Sequence, residues 1–189
     1  VTIKDLGEPL EKLFIQAFVN GLHNPEERPS AMEWEKALSK TWDMLHKCEN
    51  PDCLAEWFIL YDTENPVCPF CRHSARHESI VRLHLKSCLK GKNGIWTDYR
   101  TVDLYDKMKL YKWHVLSGVF PNEKADCTPV AEIYTTNQQW FFVNKNLEGL
   151  TCPEGLFIPK GFKFELKDNS FFRACNDENS LLISVTKGK

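Results

Sequence analysis

Four cysteines within one short stretch constrain this chain more than anything else in it. They read Cys48-x4-Cys53, then fourteen residues, then Cys68-x2-Cys71. Two close pairs across a hairpin-length spacer deliver four thiolates to one tetrahedral ion without ordering distant parts of the chain. Between the pairs, Trp57-Phe58-Ile59-Leu60-Tyr61 reads as a strand and Asp62–Pro66 as a turn, the layout of a zinc ribbon. Cys68-Pro69-Phe70-Cys71 reads as a knuckle whose turn aims both sulfurs at one point. The spacing predicts a structural zinc on Cys48, Cys53, Cys68 and Cys71, with His46 and His73 close enough in sequence to substitute as ligands. Two disulfides, free buried thiols and a catalytic zinc are the competing readings. A catalytic zinc keeps one position open for water, whereas four thiolates fill the shell. A redox Cys-x-x-Cys opens a helix after a strand, and here a second pair stands ready to share a metal. Cys88, Cys127, Cys152 and Cys175 are scattered and read as isolated thiols.

Composition decides what surrounds that cluster. Apolar residues at 42% and charged residues at 26% over 189 positions are those of a folded chain, not a disordered one. A net charge of -2 gives no global electrostatic case for nucleic acid or an anionic membrane. No apolar run approaches the roughly 18 residues of a membrane span, and no basic segment followed by an apolar one marks an export signal. The expected compartment is therefore the cytoplasm, where thiols stay reduced. The chain begins with Val1, which reads as a piece of something longer or a processed product.

Residues 1–47 show helical periodicity. Pro9 suits a first helical turn, Leu10, Leu13, Phe14, Ala17 and Phe18 share a face, and Gly21 is expected as a left-handed C-cap. Ser30-Ala31-Met32-Glu33 is a capping box that starts a second helix. Trp34, Leu38, Trp42 and Leu45 line one side of it and are expected in the core. Residues 48–74 are the ribbon. Residues 75–98 carry Arg76, Arg82, Lys86, Lys90 and Lys92, following Arg72, against Glu78 and Asp98, and read as a basic linker with a short amphipathic helix on Ile80, Val81, Leu83 and Leu85. No aromatic residue lies between Phe70 and Trp96, so the stacking platform of a single-strand binder is missing. Residues 99–189 carry short alternating runs near 110–116, 130–135, 139–144, 162–166, 170–174 and 180–185, with turns at Thr136-Asn137 and Asp168-Asn169. Their short connections favour antiparallel pairing. The fold class expected is α+β: a helical pair, a small zinc ribbon, then an all-β sandwich.

The run Phe18-Val19-Asn20-Gly21-Leu22-His23-Asn24-Pro25-Glu26-Glu27-Arg28-Pro29-Ser30-Ala31-Met32-Glu33-Trp34 resembles the end of a Ser/Thr protein kinase large lobe. The resemblance covers about 45 residues, in a register of helix, loop, Arg-Pro-Ser and helix. It implies that Arg28 pairs with the Glu of an upstream Ala-Pro-Glu motif, which these residues do not contain. A kinase end running into cysteine pairs is similar to bacterial Hanks-type kinases with cysteine-rich C-terminal extensions, in which the second position of the first pair is often His where this chain has Cys53. Trp140-Phe141-Phe142-Val143-Asn144-Lys145-Asn146-Leu147-Glu148-Gly149 and Phe157-Ile158-Pro159-Lys160-Gly161 through Asn169 resemble the strands and Asn-Gly loop of a forkhead-associated (FHA) domain. The phosphothreonine-reading residues do not carry over: Val119 follows Gly118 where that family has Arg, and Thr128-Pro129-Val130-Ala131 stands near its Ser-Arg-x-His. The implied protein is a non-catalytic C-terminal region of a Ser/Thr kinase. No Gly-rich loop, Val-Ala-Ile-Lys strand, His-Arg-Asp or Asp-Phe-Gly occurs in these residues, so ATP and Mg2+ would belong only to the missing lobes. The implied partner is a protein, or those kinase lobes, docked on the sandwich. A zinc-ribbon nucleic-acid module using Arg82, Lys86, Lys90 and Lys92 is the weaker alternative.

Overall fold

The computed structural model describes residues 2–88 and 94–188. The chain divides after His77 into two compact units, and it is α+β with two helices and antiparallel sheets.

The first unit opens with helix α1 (Glu8–Ile15), with Pro9 in its first turn. The helix widens into a π turn over Gln16–Asn20. Gly21 is not a left-handed cap: its φ is −83°. What its lack of a side chain provides is space, because a Cβ there would lie 2.7 Å from Arg28 Cγ and 3.0 Å from the Gln16 carbonyl oxygen. Helix α2 (Ala31–Trp42) starts on the expected capping box, with Ser30 N donating to Glu33 Oε2 at 2.7 Å and Glu33 N to Ser30 Oγ at 3.4 Å. Its buried side is Ala37 and Thr41, not the aromatic stripe. Leu38 is 54% exposed and Trp42 72%. Trp34 is half-buried, edge-on to Phe14 at 5.1 Å, and Phe14 stacks on Phe18. Strands β1 (Leu45–Lys47) and β2 (Trp57–Ile59) form an antiparallel hairpin, with His46 opposite Phe58.

The second unit holds two four-stranded sheets. Strands β3 (Val81–Cys88), β4 (Trp96–Asp103), β9 (Phe171–Arg173) and β10 (Leu182–Lys187) form one in the order β4-β3-β10-β9. Strands β5 (Lys109–Leu110), β6 (Ala131–Thr136), β7 (Gln139–Asn144) and β8 (Lys163–Glu165) form the other in chain order. Inward residues of both sheets, among them Leu83, Leu85, Val102, Ile133, Phe142, Phe164, Ile183 and Val185, share one core. Residues 75–98 are therefore not a basic linker with a helix. Val81, Leu83 and Leu85 point into the core while Arg82, His84 and Lys86 alternate with them, so the period of two overrides the helical spacing that Ile80 and Leu83 also satisfy. Lys90 and Lys92 lie outside the described residues. The run near 110–116 ends as a strand after Leu110. Tyr111 N donates to His114 Nδ1 at 2.9 Å, which turns Lys112–His114 into a short 3-10 helix.

The β6–β7 hairpin closes through Asn137 and Gln138, both at positive φ (50° and 62°). This is the two-residue turn whose twist suits antiparallel strands. Asn144 is fully buried with its carboxamide saturated: Nδ2 donates to the carbonyls of Leu147 (3.0 Å) and Ile158 (2.8 Å), and Oδ1 accepts from Leu147 N (2.7 Å). Among the described residues no helix is long and apolar enough to cross a membrane.

Candidate metal centre

The hairpin β1–β2 delivers the first cysteine pair. Cys48 follows β1 directly, and its N–H closes on the Glu56 carbonyl at 2.7 Å. The loop between them is held by Cys53 N to Asn50 O at 3.1 Å and by Asp52 N to Asn50 Oδ1 at 3.0 Å. The second pair sits on a tighter loop. Val67 and Ser74 bridge, Cys68 N donates to His73 O at 2.8 Å, and Arg72 N returns to Cys68 O at 2.9 Å. Arg72 takes a left-handed backbone (φ 64°) to complete that reversal. Between the two loops Asp62 Oδ1 accepts from Glu64 N and Asn65 N, which makes the turn expected there.

These loops bring Cys48, Cys53, Cys68 and Cys71 together, with all four sulfurs within 4.8 Å of one another, and this group could hold a metal ion. The sulfurs of Cys48 and Cys71 are 3.6 Å apart and those of Cys53 and Cys68 are 3.9 Å apart. A tetrahedron with Zn–S bonds of about 2.3 Å has S···S edges of roughly 3.8 Å, so the pocket has the dimensions of a closed four-thiolate site. A disulfide would need about 2.05 Å, and all eight cysteines are free. Cys48, Cys53 and Cys68 are buried and Cys71 is half-buried.

Burial and local hydrogen bonds set the thiols of the group apart. Burial pushes the Cys48 thiol up to about 12 and raises Cys68 as well. Cys71 falls to about 6, first through the backbone N–H of His73 and also through the Asn50 side chain. Cys48 and Cys71 move in opposite directions because burial dominates at Cys48 and the His73 N–H at Cys71; their mutual contact adds to both shifts. A bound divalent cation would favour the thiolate form of all four ligands by placing positive charge among them.

The candidate substitute ligands do not join the group. His46 is buried with its ring edge-on to Phe58 at 5.6 Å, and His73 is exposed, contributing its backbone. Sequence reasoning missed Asn50. Its signal is an Asn two residues after a cysteine in a loop longer than usual, where an Asx turn tightens the extra length. Of the other cysteines, Cys152 is buried, Cys88 and Cys175 are half-buried and Cys127 is exposed. Of the residues expected as a nucleic-acid surface, Arg82 lies 3.5 Å from Asp103 and Lys86 lies 3.8 Å from Asp98, and Lys90 and Lys92 are outside the described residues; Arg76 of the same basic run pairs with Glu49 at 2.8 Å.

No protein-family model matches the chain, and no curated protein or solved structure matches it either.

Proposed function

We propose that this chain is a non-catalytic, zinc-stabilised protein-interaction region from the C-terminal part of a Ser/Thr protein kinase. In this reading residues 1–47 are the end of the large lobe, Cys48, Cys53, Cys68 and Cys71 hold a structural zinc, and the sandwich is an FHA-like docking module. One observation carries the reading: the helical pair is an open surface. Ile15, Phe18, Val19 and Leu22 recur at three- and four-residue spacing and are 41%, 63%, 66% and 53% exposed. Leu38 and Trp42 add a second exposed apolar ridge on α2. Apolar stripes of that length on a small unit mark a contact surface. Arg28 supports the same reading. Its Nε donates to Gly21 O at 2.8 Å and its Nη2 to Leu22 O at 3.3 Å, and no carboxylate among the described residues pairs with it. A guanidinium held in place by carbonyls, with its charge unanswered, fits a partner Glu supplied from upstream.

The four-thiolate dimensions support zinc as the ion, acting through folding energy. Two four-stranded antiparallel sheets around one core support a sandwich of FHA type. Half-buried Val119 at the position that family gives to Arg supports a changed ligand rather than a retained phosphothreonine site. The coding sequence upstream of Val1 tests the kinase reading. An Ala-Pro-Glu segment, His-Arg-Asp and Asp-Phe-Gly are expected within roughly 200 residues, and an unrelated upstream sequence overturns it. Metal analysis of the purified chain tests the zinc reading, with about one equivalent expected.

A further inference from the structure

The two cysteine loops meet sulfur to sulfur. Two sulfur pairs are in hydrogen-bonding contact, Cys48 with Cys71 at 3.6 Å and Cys53 with Cys68 at 3.9 Å, and both run between the loops. Solvent reaches the group unevenly. Cys48, Cys53 and Cys68 are buried, Cys68 completely, whereas Cys71 is half-buried between exposed Phe70 and exposed Arg72. The most accessible sulfur of the group therefore belongs to the closer of the two contacts. Oxidation of a cysteine follows its access to solvent, and a second thiol beside it resolves the first product into a disulfide. Cys127 is more exposed, but its sulfur meets the Ala125 carbonyl at 3.5 Å and not another thiol.

We propose that Cys71 is an oxidation site with Cys48 as its resolving thiol, so that a hydroperoxide turns the cluster into a disulfide between the loops. The release of an ion rests on the zinc reading above; the choice of sulfurs rests on the geometry. With hydrogen peroxide, the Cys71 sulfur attacks one oxygen. An S–O bond forms, the O–O bond breaks, and the other oxygen leaves as water with the thiol proton. The Cys48 sulfur then attacks the Cys71 sulfur. An S–S bond forms, the S–O bond breaks, and the hydroxyl leaves as water with the Cys48 proton. Two sulfurs are oxidised and one peroxide is reduced to two waters. When the four cysteines start as thiolates on a metal, solvent supplies four protons, two carried off in water and two left on Cys53 and Cys68. Two remaining sulfurs do not fill a tetrahedral shell, so the ion is released. The folded loops work here against the chain's local preference. Only two residues separate Cys68 from Cys71, and loop closure alone favours that pair. The contacts across the site select Cys48 instead, because its sulfur has the smaller distance to close to a bond of about 2.05 Å.

The test uses the whole chain, zinc-loaded, treated with about one equivalent of hydrogen peroxide. Free thiols are then alkylated, the chain is digested without reduction, and the linked peptides are identified by mass, while a coloured chelator follows zinc. The expected main product is the Cys48–Cys71 disulfide, about tenfold or more over any other pairing, with Cys53 and Cys68 alkylated, zinc released in step and its binding restored by a dithiol. The same oxidation in strong denaturant is expected to give Cys68–Cys71. In Cys48→Ser a sulfenic-acid trap is expected to label Cys71, because the resolving thiol is gone; if that variant does not fold, the wild-type map decides. A main disulfide within either loop in the folded chain overturns the proposal, as do mixed pairings in similar amounts or a cluster still reduced in excess peroxide. A chain that binds no zinc overturns the zinc reading, a separate result, and the disulfide map of that chain still decides which sulfurs pair.

Discussion

Removing the metal should unfold one unit and leave the other standing. The twelve largest fully buried side chains are Phe142, Leu60, Ile80, Leu83, Leu85, Leu104, Leu110, Ile133, Leu150, Leu166, Leu181 and Ile183, and of these only Leu60 belongs to the first unit. Around the ribbon the buried apolar side chains other than cysteine are Phe58, Leu60, Pro66 and Ala75. Burying the two large ones contributes about 2–3 kcal/mol each. A structural zinc contributes about 10–16 kcal/mol in small domains, so a bound zinc would outweigh the ribbon's own core by a factor of roughly two to three. Divided over four thiolates, the loss of one ligand in Cys71→Ser is about 3–4 kcal/mol, a two- to three-decade fall in zinc affinity. The assay is hydrogen exchange read by mass spectrometry, with and without a strong chelator. Amides closing the ribbon should lose protection: Cys48 N to Glu56 O, Leu60 N to Met44 O, Cys68 N to His73 O and Ala75 N to Pro66 O. Amides of β3 to β10 should keep theirs, because their core contains no metal ligand. Full protection of those four ribbon amides in chelator would refute the energetic argument. Loss of both units together would refute the division of labour between metal and core.

Two further outcomes test the packing. Asn144→Ala strands the Leu147 N–H and the carbonyls of Leu147 and Ile158 in a fully buried site. It should cost the sandwich about 3 kcal/mol or more in a denaturant melt, and a loss under 1 kcal/mol would show that the loop refolds around the gap. Trp42→Ser should shift the stability of the chain by less than about 0.5 kcal/mol, because the indole is 72% exposed. A melt lowered by 2 kcal/mol would mean that Trp42 is already covered.

The parts of this architecture that could be read in advance are those encoded within a few residues. The Ser30–Glu33 box and the Thr136-Asn137 turn each act within a few residues, and the cysteine spacing acts through two short loops of one continuous segment; the structure contains all three. What failed depended on distant partners. Strand β3 pairs along its length with β10, so Lys86 meets Leu182 and Val81 meets Lys187, about a hundred residues away. Nothing local to Ile80–Leu85 reveals that pairing, and the segment satisfies both periods. The side of α2 that is buried was misjudged for a related reason. Hydrophobicity favoured Leu38 and Trp42, but the buried side of α2 is the small one made by Ala37 and Thr41, and α1 is the helix in contact with α2 within the unit. Gly21 was matched to the right residue type for the wrong cause, since close approach by Arg28 and not handedness excludes a side chain there. In the cysteine cluster the four thiols that could hold a metal ion were legible because such a site needs only four sulfurs at set intervals.

The sandwich carries one further consequence of its β3 pairing, a sensitivity to mild acid centred on His84. The ring sits mid-strand on the outward side of β3 and is half-buried. Its Nε2 lies 2.9 Å from Thr186 Oγ1 on β10. Burial lowers its pKa first, then the positive charge of Arg82, two residues before it; Asp98 on β4 opposes this and Lys86 adds to it. Thr101 on β4 and Ser184 on β10 stand opposite it in the ladders and bring no charge. The folded chain therefore binds the imidazole proton less readily than the unfolded chain does. Where the unfolded state holds more protons, stability rises with pH. The contribution is fully present above the ordinary histidine value of about 6.5. It is lost progressively as pH falls from there through the lower folded value. Denaturant melts of the sandwich transition at pH 7.5 and 5.5 should show a drop at the lower pH, and His84→Gln, which keeps a donor for Thr186 without titrating, should remove part of that drop. Carboxylates and the cysteine cluster also bind protons in acid, so the decisive quantity is the difference between the two chains. An identical pH dependence in both would show that His84 opens to solvent when it is protonated and that neither its burial nor Arg82 acts on the charged form.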